Sequence, residues 1–372
     1  MKRDNRAAAA AEREAEDAHR KLTGAKDIVE GWRVMVDSDP DRYRPELAVA
    51  LSNRGALLLE IGSPSAALEP AREAVAIFRE LVAGDPGRHR PGFALALSNL
   101  GVTLAETGRR DEALATVEEA ATCWRQLAAA DPDRYRPDLA AGLFNLACRL
   151  GEIGREDDAL RVERESVAAW RELAAGDTDR YLPSLALGLC ALGVRLAELG
   201  LPAEAVPLDE EAAGLYRRLA AADPGYLPNL AGTLSHLGSE LGKLDRFRQA
   251  LPAADQSVRI YKKLALTDPG GQGPALATAL TTLSIAYRGV GRPADAIPPA
   301  RESIAIYRWL AAASPGFYDT DLADSAENLA VCLDVQAMEL SLAGRSGKAQ
   351  KLRREAAKIR AESPAVTRRP PT

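Results

Sequence analysis

Two rows of polar side chains are the residues of this sequence best suited to bind a ligand. An asparagine amide is both a hydrogen-bond donor and an acceptor, so a ladder of amides can pair with the backbone of an extended peptide. A parallel row of glutamates would favour basic side chains or an amino terminus. The alternative, that these asparagines serve hydrogen bonding between helices, stays open at this stage. The rows are Asn53, Asn99 and Asn145, and Glu60, Glu106, Glu152 and Glu198.

The sequence shows none of the patterns typical of catalytic chemistry. The three histidines, His19, His89 and His236, are far apart, and none of the four cysteines forms a C-x-x-C pair. No G-x-S-x-G, H-E-x-x-H, G-x-x-x-x-G-K or G-x-G-x-x-G motif occurs. Carboxylates are expected on helix surfaces, without a partner that would shift their pKa. We therefore predict no enzyme activity, no metal site and no cofactor.

Composition narrows the classes of partner. The 48 basic and 53 acidic residues are well mixed and give a formal net charge of −5, so no strong field would attract nucleic acid or an anionic membrane. The N-terminus is charged throughout, unlike a signal peptide, and no run of about 18 apolar residues occurs. These features predict a cytoplasmic protein without nucleic acid or membrane contact.

The two polar rows recur because the sequence itself repeats at a fixed interval of 46 residues. The stretch GDPGRHRP (84–91) returns 46 residues later as ADPDRYRP (130–137), and a single step of 45 falls at the corner ADPGYLP (222–228). Such self-similarity indicates an array of structural repeats. The recurring residues are the helix stops Asp39, Asp85, Asp131, Asp177, Asp223, Asp268 and Ser314, the aromatics Trp32, Phe78, Trp124, Trp170, Tyr216, Tyr261 and Tyr307, and the small residues Gly55, Gly101, Ala147, Gly193, Gly238, Ser284 and Ala330.

Each unit predicts a pair of helices. After Pro137, which suits a first helical turn, leucines follow at helical spacing until Gly154 ends the helix. A second helix then runs to Asp177, and Arg136 is expected to be extended because a proline follows it. Neither helix can bury its apolar stripe alone, so consecutive hairpins should stack on one another.

The aromatic and glycine positions are expected to be structural rather than ligand-binding. The aromatics should fill the core, and the glycines should let paired helices approach closely. This predicted core set is Phe78, Trp124, Trp170, Tyr216, Tyr261, Tyr307, Gly55, Gly101, Gly193 and Gly238.

The pattern resembles the tetratricopeptide repeat family. The residues that carry the resemblance are Asn99-Leu100-Gly101, Leu104, Gly108, Ala113 and Ala120, closing on Asp131-Pro132. The unit of 46 residues is longer than the familiar one of about 34, as in kinesin light chain and many bacterial regulatory arrays. Arg54 departs from the pattern, since the family has an apolar residue there. The resemblance implies an all-α fold: an α-solenoid of stacked antiparallel helix hairpins that forms a right-handed superhelix.

The resemblance also implies a function. In this family the face of the first helix that carries the asparagine row lines a concave groove, where the amides hold the backbone of a partner peptide. We therefore expect a non-enzymatic interaction module or scaffold. Two alternatives are a sensory or regulatory domain that controls an effector on another chain, and a scaffold that forms homo-oligomers through the incomplete N-terminal unit.

The repeat markers predict the organisation of the chain. Residues 1–17 are expected to be a charged, alanine-rich tail or helix extension, and 18–44 a partial repeat that has only its second helix. Six repeats should span 45–320, followed by a terminal helix and a basic capping helix over 321–362 and a disordered tail over 363–372. The predicted repeats are 45–90, 91–136, 137–182, 183–227, 228–273 and 274–320.

Overall fold

A computed structural model describes residues 2–362 of the chain, with side chains from residue 18 onward. Within this range every regular element is a helix, which confirms the all-α prediction. The predicted tail at 363–372 lies outside the described residues. The helices are α1 (Lys2–Ser38), α2 (Pro40–Glu60), α3 (Pro64–Gly84), α4 (Pro86–Glu106), α5 (Arg110–Ala130), α6 (Pro132–Glu152), α7 (Glu156–Gly176), α8 (Thr178–Glu198), α9 (Pro202–Ala222), α10 (Leu227–Lys243), α11 (Phe247–Leu264), α12 (Pro269–Gly289), α13 (Pro293–Ala313), α14 (Asp319–Leu342) and α15 (Ser346–Glu362).

The chain divides into two compact units between Thr178 and Asp179. Unit 1 contains α1–α7 and unit 2 contains α8–α15. In unit 1 each helix packs against the next one along the chain, and α9–α15 do the same in unit 2. This consecutive packing is the arrangement of an α-solenoid, as the sequence predicts. We call α2, α4, α6, α8, α10, α12 and α14 the first-type helices, and the others the second-type helices.

The recurring Asp-Pro corner serves two helices at once. Asp131 ends α5, and its carboxylate accepts a hydrogen bond from the Arg134 backbone N–H at 3.2 Å in the first turn of α6. Asp39 and Asp85 do the same for α2 and α4. One side chain therefore satisfies an otherwise unpaired backbone donor of the next helix.

The first-type helices begin earlier than the sequence predicts. Pro132 occupies the first turn of α6, whereas Pro137 lies inside the helix, and Arg136 is helical rather than extended. Pro45 and Pro91 are likewise inside α2 and α4, so the predicted repeat boundaries fall within helices. The Asp131 cap, with a second proline in the first turn, is enough to continue the helix although Pro137 removes one backbone donor.

The one-residue deletion at the corner 222–228 changes the local structure. Here Asp223 accepts from the Gly225 backbone N–H at 2.8 Å, two residues on, and Pro224–Tyr226 form a 3-10 turn before α10. The shorter corner thus replaces one turn of α-helix with the tighter 3-10 geometry.

Close approach of helices depends on the small residues, as expected. A Cβ atom added at Gly101 of α4 would lie 2.4 Å from Cγ1 of Val117 on α5, a distance that no real Cβ tolerates. At Gly193 of α8 the added Cβ would lie 2.6 Å from Oδ1 of Asp209 on α9. All six aromatics of the predicted core set are buried, between 2% and 7% exposed.

The helix α8 is apolar enough by composition to be tested as a membrane span. An 18-residue window of this helix has a mean hydropathy of 1.2, and 44% of that window is buried. Its buried Leu185, Leu189, Leu192 and Leu196 follow the same helical spacing as the core leucines of α4 and α6. Core helices of packed helical proteins commonly pass such a test, so this observation is weak evidence for a membrane span.

Candidate binding surface

The two predicted polar rows lie on one partly exposed face of the first-type helices in unit 1. We call this face the unit 1 stripe. On each helix it comprises five positions at alternating steps of three and four, which keeps them on one side. The fifteen residues are Glu46, Val49, Asn53, Ala56 and Glu60 on α2, Gly92, Leu95, Asn99, Val102 and Glu106 on α4, and Asp138, Ala141, Asn145, Cys148 and Glu152 on α6.

The amides of the stripe divide into two kinds. Asn99 donates from Nδ2 to Oγ of Ser52 at 3.0 Å, which links α4 to α2. Within the described residues, Asn53 and Asn145 make no side-chain hydrogen bond, and Asn53 is exposed. Asn99 therefore bonds helix to helix, as the alternative reading predicts, and ligand binding by the asparagine row stays a prediction.

The ends of the stripe are acidic. Glu60, Glu106 and Glu152 are exposed near the C-terminal ends of their helices, and only Glu152 has an ion-pair partner among the described residues, Arg149 at 2.8 Å. At the other end lie the carboxyl groups of Glu46 and Asp138. None of the fifteen positions is Lys or Arg. The face therefore favours a positively charged ligand. Glu198, the fourth member of the predicted row, is exposed on α8 in unit 2.

The stripe also presents apolar surface. Val49 and Leu95 occupy equivalent positions on α2 and α4 and are 48% and 47% exposed. Beside Val49 a hollow of about 450 Å³ opens, with the rings of Trp32 and Phe78 in its wall. A Cβ at Gly92 would lie 2.6 Å from the Phe78 ring, so this glycine makes room for the ring at the start of α4. The hollow is lined by Ile28, Trp32, Pro45, Glu46, Val49, Ala50, Asn53, Phe78, Arg88, His89 and Gly92.

One carboxyl oxygen in this hollow has no partner. Oε2 of Glu46 is buried and makes no hydrogen bond. Such an atom loses its water shell without compensation unless a donor arrives. Asn53, with its own unused amide, lines the same hollow. The arrangement can take an apolar side chain into the hollow while Glu46 and Asn53 accept hydrogen bonds from its backbone or from a neighbouring cation.

Unit 2 carries a different group at the same register. On α10 the asparagine position is His236 and the glutamate position is Lys243. His236 donates from Nδ1 to Oδ2 of Asp209 on α9 at 2.7 Å, and its Nε2 lies 3.9 Å from Oε1 of Glu240. Lys243 donates to the same Glu240 oxygen at 2.6 Å. We call these four residues the α9–α10 charge cluster.

The charge cluster corrects one expectation from the sequence. Carboxylates were expected on helix surfaces without a partner that shifts their pKa, yet Asp209 is 0% and Glu240 1% exposed. Burial raises the pKa of Asp209 and outweighs the hydrogen bond and charge of His236. The register gives only a partial signal: Val117 and Ala254 occupy the Asp209 position two repeats before and one repeat after, whereas the repeat directly before has the buried Glu163 there.

Known proteins bear on the fold. A family model described as tetratricopeptide repeat matches residues 93–133 and 276–308. No curated protein sequence matches the chain significantly. Aspartyl phosphate phosphatase F from Bacillus subtilis is 13% identical, with 91% of this chain and 78% of that chain covered and a TM-score of 0.52, which shows a shared fold.

Two further solved structures are similar at lower TM-scores. BtubC (BKLC) from P. vanneervenii is 20% identical over 70% of this chain and 94% of its own, with a TM-score of 0.46. The apo quorum sensor NprR from B. thuringiensis is 15% identical over 92% of this chain and 99% of its own, with a TM-score of 0.49. The family match falls on two of the 46-residue repeats defined above. Helix hairpins are present in both unit 1 and unit 2. Residues 93–133 and 276–308 are therefore tetratricopeptide-like repeats, and they lie in an array whose period is lengthened to 46 residues.

Proposed function

We propose that the chain is a non-enzymatic interaction module that binds an extended, basic segment of a partner protein along the unit 1 stripe. The observation that carries this proposal is the combination of unused amides, exposed apolar side chains and unpaired carboxylates on one face. Asn53 and Asn145 would hold the partner backbone, and Glu60 and Glu106 would attract its lysines or arginines. The hollow beside Val49 would take an apolar side chain of the same segment.

The test is a screen of short peptides against the full chain, followed by fluorescence polarisation of the best binder. We expect basic peptides with one bulky apolar residue to bind, and acidic peptides to fail. Asn53→Ala and Asn145→Ala should each weaken binding about 3- to 10-fold, the effect of one lost hydrogen bond. Glu106→Lys should weaken it further, and the difference from wild type should shrink as salt rises.

The control variant is Glu69→Lys. Glu69 is an exposed carboxylate on the second-type helix α3, away from the stripe, so the same charge reversal there should leave binding unchanged. Equal losses for Glu69→Lys and Glu106→Lys would show a general charge effect and overturn the proposed surface. Binding that survives all three stripe variants would have the same consequence.

A second candidate, self-association through the N-terminal helix, is favoured by one observation. On α1, Ile28, Val34 and Met35 are 56%, 69% and 39% exposed, a concentration of large apolar side chains unusual for a solvent face. Light scattering on the full chain and on a Val34→Lys, Met35→Lys variant tests this. A dimer that becomes a monomer in the variant supports self-association, and a wild-type monomer at high concentration excludes it.

A further inference from the structure

The α9–α10 charge cluster is not required to make a repeat of this fold. Two repeats earlier, the α5–α6 hairpin junction has Val117 and Asn145 at the positions of Asp209 and His236, and the helices pack with the same order. Replacing an apolar residue with a fully buried carboxylate is unfavourable unless the charge is compensated. The repeat directly before also buries a carboxylate at this position, Glu163 on α7, but its residue at the register of His236 is Ala191. The histidine that faces the buried carboxylate therefore distinguishes the α9–α10 charge cluster.

The compensation within the cluster is incomplete. Oδ1 of Asp209 and Oε2 of Glu240 are buried and have no hydrogen-bond partner. Two carboxylates face one ammonium, Lys243, so their charges balance only when His236 carries a proton. On the α8 side, Gly193 lies against Asp209, and Sγ of Cys190 lies 3.6 Å from Oγ1 of Thr233.

The geometry of the ring suits the charged form. Both nitrogens of His236 face carboxylate oxygens, Nδ1 that of Asp209 and Nε2 that of Glu240. Only the imidazolium has an N–H at both positions, and the neutral ring would turn a lone pair toward one of the two acceptors. Thr282 on α12, at the register of His236 in the next repeat, is uncharged and offers no competing cation.

We propose that the α9–α10 charge cluster is a proton-dependent lock, which holds α9 against α10 while His236 is protonated and loosens when the proton is lost. Deprotonation leaves Asp209 and Glu240 buried with Lys243 as their one cation. Because Asp209 and His236 come from neighbouring helices, the change falls directly on the contact between them.

The pKa of His236 is shifted in the direction that the proposed lock requires. Burial disfavours the charged form of His236, but the hydrogen bond to Asp209 and the charges of Asp209 and Glu240 outweigh it, so the pKa is raised above its ordinary value of 6.5. Stability from this group is therefore complete below pH 6.5 and is lost as pH rises through the raised pKa.

The experiment measures the thermal midpoint of the full chain at a series of pH values from about 5 to 9, which extends on both sides of the ordinary histidine pKa of 6.5. The double variant D209A/H236N places at the two positions the residue types of other repeats, Ala254 and Asn145, and is expected to fold. We expect the wild-type midpoint to fall about 2–4 °C more than that of the double variant across this range. His89→Asn removes a histidine outside the cluster and should keep the wild-type profile.

Hydrogen exchange localises the effect. After correction for the intrinsic pH dependence of exchange, amides of α9 and α10 in the wild type should lose protection as pH rises, while those of α5 and α6 should not. Parallel pH profiles for the wild type and the double variant would overturn the lock. So would a loss of protection spread evenly over both units, because it would reflect global titration rather than this cluster.

Discussion

The α5–α6 pair of unit 1 and the α9–α10 pair of unit 2 pack in the same way but carry side chains of opposite charge at equivalent positions. On α6, Arg149 and Glu152 form an ion pair at 2.8 Å, and on α10 the residues at the same register, Glu240 and Lys243, form one at 2.6 Å with the signs reversed. The Arg149 side chain is 19% exposed, whereas the Glu240 side chain is 1% exposed. The facing helix matches each case, with Val117 on α5 and Asp209 on α9.

This comparison shows which parts of the repeat are free to change. Caps, glycine contacts and the aromatic ladder define how the helices meet, and they recur in both units. The side chains beside them can be apolar, amide or ionic if the neighbouring helix compensates. On α6 the asparagine position holds the partly exposed Asn145, whereas on α10 it holds His236 against the buried Asp209.

The largest expected effect compares truncation to alanine at the same register position of the two helix pairs. His236→Ala should lower the free energy of unfolding by roughly 3 kcal/mol, since it leaves the buried Asp209 without its hydrogen-bond and charge partner. The equivalent Asn145→Ala should change it by less than about 0.5 kcal/mol, because Asn145 has no side-chain hydrogen bond. Urea unfolding near pH 6 measures both. Similar losses for the two variants would break the distinction between the pairs.

A middle-sized effect tests the glycine contacts that both units share. Gly101→Ala should destabilise by about 1–3 kcal/mol, because the new Cβ meets Val117 Cγ1 at 2.4 Å inside the core. Gly55→Ala is the matched control at the same repeat position, where the added Cβ would lie 3.5 Å from that of Ala71, an ordinary contact. There the better helix propensity of alanine should stabilise by roughly 0.5–1 kcal/mol. Thermal unfolding should show opposite signs, and equal shifts would contradict the geometry.

The smallest effect concerns surface pairs that recur 40 residues apart on successive second-type helices. In unit 1 Arg125 binds Glu165 at 2.9 Å, and in unit 2 Lys262 binds Glu302 at 2.7 Å, all four side chains being more than 40% exposed. Double-mutant cycles with alanine should give coupling energies of about 0.2–1 kcal/mol for each pair, reduced by salt. A coupling that is larger and insensitive to salt would show that solvent does not screen these pairs.

Much of the fold could be read from local patterns. The helix stop at Asp131, the close glycine at Gly101 and the aromatic at Trp124 each depend on residues within a turn or two, and their recurrence located the hairpins. The starts of the first-type helices were misplaced at Pro137, because proline fits both a first turn and a tolerated interior position. The Asp131 side chain decides between them through its hydrogen bond to the Arg134 N–H.

The amino-acid sequence by itself determined the helical repeat, its register and the face that carries Asn53, Asn99 and Asn145, because periodicity along a helix is a local property. Only the tertiary structure decided which amide is used by Ser52 and which carboxylates are buried. Burial and pairing depend on the side chain that the adjacent helix presents, as Asp209 and His236 show. These two residues are distant in the sequence and separated by a corner, so their interaction exists only once α9 and α10 have packed.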